Sequence, residues 1–458
     1  MARAPSKNPS PQASSAAAQH RSLVPAGMAT LLPHAAQQVR YLEATLLACL
    51  IRWGYQEIIP PTFEYLDVLS AGLEPELIDK SYTLVDRTSG RMLLLRPDAT
   101  AQIARMVAMG MLGPKTPLRL CYRTTVFRYE PEHAGREREI FQVGAELIGV
   151  DEVATDGEIL ALLLDCLAHL GLLDFKVSLG HVGFFKALLG KSGLSAEGRK
   201  RAEQAAARKD LPRLEEILGE ERVSRRDAKA ILETPGLYGG EEVLERGARL
   251  AGRDRELRGA LDRLTQVYRL LCVGGMKEHL LLDLGELRGF DYYDGVLFDV
   301  FTNGLGCELG GGGRYNHLVG RFGRELPSTG FALDVDRLFR TLDRAQDGPS
   351  SSQADVLMAA PPRLAERLFE VARTLRETGF RVVQQTMRVS GSSGIPPVLA
   401  EARRLAASAV VLLGVTRLAS DEALLLTRVS QEPGRSQPLK PVQRRVKIKD
   451  LAAALPKS

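Results

Sequence analysis

Two strand-like runs carry the first side chains that could do chemistry. In FRYEPEHAGREREIFQVGAELIG, Phe127 to Gly149, successive side chains of an extended chain point to opposite faces. Arg128 and Glu130 then face one way, and Gln142, Gly144 and Glu146 share one face of the return strand. An arginine, two acids and an amide on one surface suit a zwitterionic or phosphate-bearing ligand. A solvated sheet face would account for the same pattern. A second cluster is ELRGFDYYDG, Glu286 to Gly295. Arg288 could clamp a carboxylate with two hydrogen bonds, and Tyr292 and Tyr293 offer apolar walls with a hydroxyl handle. The bland alternative is a hairpin edge with core tyrosines. In LGGGGRYNHLVGRFG, four consecutive glycines let backbone approach a ligand or pack tightly on a neighbour. This run is neither a Walker loop, lacking GK[ST], nor a dinucleotide fingerprint, lacking its strand–turn–helix setting. The fourth stretch is GFALDVDRLFR, where Asp334 and Asp336 flank a valine and Arg337 follows. No further acids converge on it, so metal binding has little support. Asp334 reads instead as the N-cap of a helix VDRLFRTLDRA, with Asp336 in its first turn, favourable to the helix dipole.

Elements able to position these residues can be read along the chain. A helix is expected from Leu31 onward, with Leu42, Leu46, Leu47 and Leu50 at helical spacing and Gly54 just past its end. SYTLVDRTSGRMLLLRP reads as a hairpin turning near Gly90, and ATAQIARMVAMGML as a helix beginning after Pro97. LRLCYRTTVFRYE and REIFQVGAELIGV read as an antiparallel pair, followed by the amphipathic helix EVATDGEILALLLDCLAHLGL. Residues from about 183 to 275 are helical and highly charged, as an all-helical insertion would be. Strand signals return at LLLDLGELRGFDYYDGVLFDVFT. Residues 344–354 have linker composition, and alternating β and α signals over 355–458 predict a small α/β domain with a parallel core. Residues 1–24 are rich in Ser, Ala, Pro and Gln and read as a disordered tail.

The 458 residues allow two or three domains, and 45% hydrophobic with 26% charged residues is a soluble globular balance. Net charge, 61 basic against 56 acidic residues, is too small to demand a nucleic-acid partner. No apolar run reaches the roughly 18 residues that span a bilayer. Five scattered cysteines form no CxxC pair and seven scattered histidines no HxxxH pair, so neither a disulfide framework nor a metal is expected, and a reducing cytoplasm fits.

Taken together, the motifs resemble the histidyl-tRNA synthetase family. FRYE…GRERE..Q..AE is similar to its motif 2, RPDAT to its RPE-x-T segment, and ELRGFDYYDG to its histidine-binding RGLDYY segment. GGGGRYNHLV and GFALDVDRL resemble the approach to motif 3 and motif 3 itself, with Gly310 where the synthetase has Cys. The resemblance implies an α+β, class II aminoacyl-tRNA synthetase-like fold. Its antiparallel sheet is flanked by helices over 25–343, with the helical insertion and an anticodon-binding-like C-terminal α/β domain. Glu286–Leu287 before Arg288, Asp98 in RPDAT and the segments LLGKSGLS and LETPGLYGG resemble the non-aminoacylating paralogue. That paralogue is the regulatory subunit of ATP phosphoribosyltransferase, which acts in histidine biosynthesis. The resemblance then implies no catalytic residue, no cofactor, a short catalytic subunit as partner, histidine as effector, and a homodimer within a hetero-oligomer, with no role for tRNA. The alternatives are an active histidyl-tRNA synthetase and an RNA-binding or sensor protein that kept the fold. By resemblance, Asp98, Thr100, Arg128, Gln142, Glu146, Arg288, Tyr292 and Tyr293 form a histidine-binding-like site. Glu130, Arg136, Asp334 and Arg337 belong to an eroded nucleotide site, because Asp334 adds bulk and negative charge where motif 3 has glycine.

Overall fold

The computed structural model describes residues 24–129, 137–286, 292–345, 354–386, 395–415, 418–427, 429 and 441–456. The chain divides into two compact units between Gln346 and Asp347.

In the first unit the strands are β1 (Gln56–Glu57), β2 (Phe63–Tyr65), β3 (Thr83–Val85), β4 (Met92–Leu95), β5 (Leu118–Phe127) and β6 (Glu139–Ile148). They continue with β7 (Phe175–His181), β8 (Tyr238–Gly239), β9 (Leu280–Asp283), β10 (Val296–Thr302), β11 (Gly310–Arg314) and β12 (Ser328–Asp334). Strands β2, β4 and β3 make a small antiparallel sheet containing the expected hairpin. The other nine form one sheet in the order β1-β5-β6-β12-β11-β10-β7-β9-β8. It is antiparallel through its centre and parallel only at β1–β5 and β7–β9.

Period-two alternation separates the two faces. On β6, Val143, Ala145 and Leu147 enter a large apolar core, while Gln142, Gly144 and Glu146 point the other way. The core is covered by helices α1 (Pro33–Arg52) and α3 (Val153–His169), while α2 (Ala99–Ala108), between them in the chain, packs on the other face. Leu46 and Leu50 of α1 and Leu160, Leu163 and Leu167 of α3 are fully buried, each worth about 1.5–3 kcal/mol. Gly54, at φ +86°, stands just past α1 in the left-handed region, as its position predicts. The opposite sheet face packs Leu120, Tyr122, Tyr292 and Tyr315 against α2.

Over the charged stretch the chain forms helices α4 (Val182–Lys191), α5 (Ala196–Ala207), α6 (Leu211–Glu220), α7 (Arg225–Glu233), α8 (Glu242–Ala251) and α9 (Arg255–Val273). Helices α4 to α7 enclose a core of their own around Phe185, Leu189, Leu214, Ile217 and Ile231. Leu257, Leu261, Leu264 and Tyr268 of α9 instead join the main core, and β8 pairs with β9. Helix α10 (Val335–Ala345) begins directly at the end of β12, so Asp334 occupies the position before its first residue.

The second unit has strands β13 (Val356–Ala360), β14 (Val382–Thr386), β15 (Ala409–Leu412), β16 (Glu422–Thr427) and β17 (Val442–Lys447). Helices Ala365–Glu377 and Ile395–Arg404 connect the first three. The order is β14-β13-β15-β16-β17: the expected parallel core, extended by two antiparallel strands. Both faces are apolar, with Val356, Met358 and Val411 on one and Leu357, Ala359 and Val410 on the other.

Candidate functional site

The polar face of β6 does not meet solvent. Gln142 is 5% exposed and Glu146 1%. Both open into a cavity of about 370 Å³, which removes the solvated-face explanation of that strand. Asp98, Thr100, Arg128, Tyr292 and Tyr293 line the same cavity, together with Asp334 and the glycines of β11. Arg288, Glu130 and Arg136 lie outside the described residues.

Each wall follows from local structure. Asp98 caps α2 by accepting from the Thr100 amide at 3.0 Å, a bond worth about 1 kcal/mol, and accepts from the Tyr292 hydroxyl at 3.1 Å. The Thr100 hydroxyl donates to one oxygen of Glu146 at 2.8 Å, and the Tyr315 hydroxyl donates to the other. The register pairs Glu146 with Gly330 on β12, and a Cβ at 330 would fall inside the Glu146 carboxylate. Glycine is therefore what lets this acid lie across the strand. Tyr292 packs on Tyr293 at 4.8 Å between ring centres and edge-on to Tyr315 at 5.7 Å, giving the cavity an aromatic side. The Arg128 guanidinium donates to the Pro97 carbonyl at 2.7 Å, fixing it at the cavity edge.

The glycine run is strand β11, not a loop. A Cβ at Gly310 or Gly312 would strike the backbone of β12, and one at Gly311 would strike Asp299 of β10. Tight packing between neighbours and close backbone approach to the cavity are both satisfied there.

Asp334 holds the helix-start position, but its carboxylate turns into the cavity wall. It accepts from Gln142 Nε2 at 2.8 Å and lies 3.2 Å from Arg337 Nη1. The same Arg337 nitrogen donates to both the carbonyl and the carboxylate of Glu308, at 2.6 and 2.8 Å. Arg337 is thus held between two acids. Asp336, expected only to favour the helix dipole, also accepts from the Phe141 amide of β6 at 2.8 Å. Burial pushes its carboxyl up to about 6.

Seven carboxyl groups line the cavity against two cations, Lys80 and Arg128. Burial raises the pKa of Glu146 to about 8, partly opposed by its bonds from Tyr315 and Thr100. Burial also raises Asp334, opposed by Arg337. Buried acids on one wall favour a ligand bringing positive charge, such as an ammonium or imidazolium group, and disfavour a polyphosphate. Sequence reasoning missed Tyr315, Asp299 and Glu308. Tyr315 stands inside the quoted glycine motif, and Asp299 follows Leu297 at strand period, so both had a local signal. Glu308 had none, because its partner Arg337 arrives from another element.

Known proteins are similar to this chain in sequence and fold. The histidyl-tRNA synthetase family model matches residues 27–338. A Moorella thermoacetica ATP phosphoribosyltransferase regulatory subunit is 42% identical over 362 residues, 79% of this chain and 91% of the relative. A second such subunit, from Geobacter sulfurreducens, is 36% identical over 411 residues, 90% of this chain and 92% of the relative. The chain belongs to the ATP phosphoribosyltransferase regulatory subunit family. A solved Bacillus halodurans structure described as an ATP phosphoribosyltransferase regulatory subunit/histidyl-tRNA synthetase superposes with TM-score 0.72 at 29% identity, covering 85% of this chain and 97% of that one. Since the first unit ends at Gln346, the 411-residue match runs well into the second. The C-terminal unit therefore has a counterpart in the regulatory subunit family. Among the described residues no helix is long and apolar enough to cross a membrane.

Proposed function

We propose that this chain serves as the non-catalytic regulatory subunit of ATP phosphoribosyltransferase, in the first step of histidine biosynthesis. In this reading it works in the cytoplasm as a homodimer within a hetero-oligomer with the short catalytic subunit, and it reads histidine as its effector. One observation carries the reading: Arg337 is locked between Asp334 and Glu308, two acids that line the cavity. An arginine so engaged must break two charge-assisted contacts before it can meet a phosphate, and Asp334 itself repels one. The same cavity keeps Asp98, Glu146 and the tyrosines, which suit an α-amino group and an imidazole N–H. Amino-acid recognition is thus supported while nucleotide recognition is opposed, as a sensor descended from a synthetase requires. Feedback then depends on unequal histidine affinity in two states of the assembly.

The test is reconstitution. Adding this chain to a short catalytic subunit should raise ATP phosphoribosyltransferase activity, and histidine should inhibit the mixture but not the catalytic subunit alone. Histidine charging of tRNA at about 1 per second or faster by the purified chain would overturn the reading.

A further inference from the structure

Among the described residues, one group of metal-ligating side chains lies apart from the cavity. Cys49 on α1 faces Asp165 and His169 on α3, and their ligand atoms all lie within 4.8 Å of one another. Cys49 Sγ is 3.4 Å from Asp165 Oδ2 and 4.0 Å from His169 Nδ1. His169 Nδ1 is 3.2 Å from Asp165 Oδ1. Zinc–sulfur bonds of about 2.3 Å and zinc–nitrogen or zinc–oxygen bonds of about 2.0–2.2 Å set the edges of a tetrahedral site at about 3.3–3.6 Å. The two separations to Asp165, one to each carboxylate oxygen, lie close to those edges, and the 4.0 Å between Cys49 and His169 is slightly longer than an edge.

We propose that Cys49, Asp165 and His169 form a zinc site that ties helix α1 to helix α3, with water as the fourth ligand. A thiolate, an imidazole and a carboxylate match the borderline-soft Zn²⁺ ion, whereas magnesium or calcium would require oxygen ligands alone. The surroundings supply the outer bonds that such sites use. Trp53 Nε1 donates to Asp165 Oδ2 at 2.8 Å, fixing the carboxylate. Cys166 lies beside Cys49 within hydrogen-bonding reach. Cys49 is 0% exposed, so no substrate can reach it as a nucleophile, while His169 is 42% exposed on its side chain and leaves room for the water. On binding, the Cys49 S–H bond breaks, its proton passes to solvent, and the sulfur electron pair forms the metal bond. His169 Nδ1, 2.8 Å from the Asp165 carbonyl, exchanges that contact for the ion. Sequence spacing hides the site: Asp165 and His169 form an i, i+4 pair, but Cys49 is contributed by a helix more than a hundred residues earlier.

The full chain, stripped with a chelator and titrated with Zn²⁺ and separately with Co²⁺, tests this. One ion per chain is expected, with a thiolate-to-cobalt charge-transfer band that Cys49→Ser abolishes. His169→Gln, at a half-exposed position that tolerates substitution, should weaken Zn²⁺ binding by at least about tenfold. Cys121→Ser, at a buried cysteine outside the group, should change neither. The proposal is overturned if the wild type takes up no saturating ion or if His169→Gln binds as tightly as wild type. It is also overturned if the cobalt band survives Cys49→Ser, or if Cys49 and Cys166 oxidise to a disulfide with no metal uptake.

Discussion

A carboxylic acid placed where Glu146 sits gains little from ionising until a cation arrives. With a pKa near 8 from burial, it holds its proton at pH 7 before a ligand binds. An ammonium docking beside it favours the carboxylate, so binding releases a proton to solvent. Affinity for histidine should therefore rise with pH from about 6 to 8 and then level off. Calorimetry in buffers of different ionisation enthalpy should detect the released proton, and Glu146→Gln should remove both it and the pH slope. The sign for stability is opposite. The folded pKa lies above the ordinary value of 4.5, so this group's stabilising contribution is full below pH 4.5 and is lost as pH rises toward 8. Asp334 poses the complementary question on the nucleotide side. Asp334→Gly removes one buried acid, releases Gln142 and leaves Arg337 with Glu308 alone. ATP affinity should increase by about tenfold, roughly 1.4 kcal/mol, in a calorimetric titration. No gain would show that charge and bulk at this position do not exclude the nucleotide.

At the scale of elements, the site is held by contacts between strands and helices distant in sequence. Arg314 on β11 is 1% exposed and reaches the start of α3, where it donates to Asp156 at 2.8 Å and to Thr155 at 2.7 Å. Asp156 also binds Arg263 of α9 at 2.9 Å. One buried acid thus joins the glycine strand, the core-covering helix α3 and the last helix of the charged stretch. Arg314→Ala leaves Asp156 with half its compensation in a dry site and should cost about 3–5 kcal/mol in urea unfolding. A loss below about 1 kcal/mol would mean that Arg263 alone satisfies the acid. The elements themselves were largely legible in the sequence. Strand alternation placed Gln142 and Glu146 on one face correctly, since a period of two survives in any sheet. It could not say whether solvent or a cavity covered that face. That depends on β12 and β11 packing beside β6, and the Gly330–Glu146 pairing exists only once the register is set. The glycine run was legible as unusual but not as a strand. Glycine has low strand propensity, and here it is imposed by what a Cβ would strike.

At the scale of the molecule, composition was the stronger guide. The Ser- and Gln-rich break after Arg344 and the later β–α alternation located a second unit by local chemistry alone. The pairings that make the site, Gln142 with Asp334 and Tyr292 with Asp98, span nearly two hundred residues and leave no local trace. Every residue that lines the cavity belongs to the first unit. The second unit covers both faces of its own sheet with apolar clusters of its own. Two units built this way should bear separation. A chain ending at Gln346 should bind histidine within about twofold of the full chain, since it contains every residue that lines the cavity. The piece from 354 onward should unfold in its own cooperative urea transition. The effect of truncation on reconstituted ATP phosphoribosyltransferase activity then divides two roles. Retained histidine binding with lost activation assigns the second unit to assembly with the catalytic subunit. A fall in histidine affinity of about tenfold or more would refute the independence of the two units and make the C-terminal sheet part of the sensor.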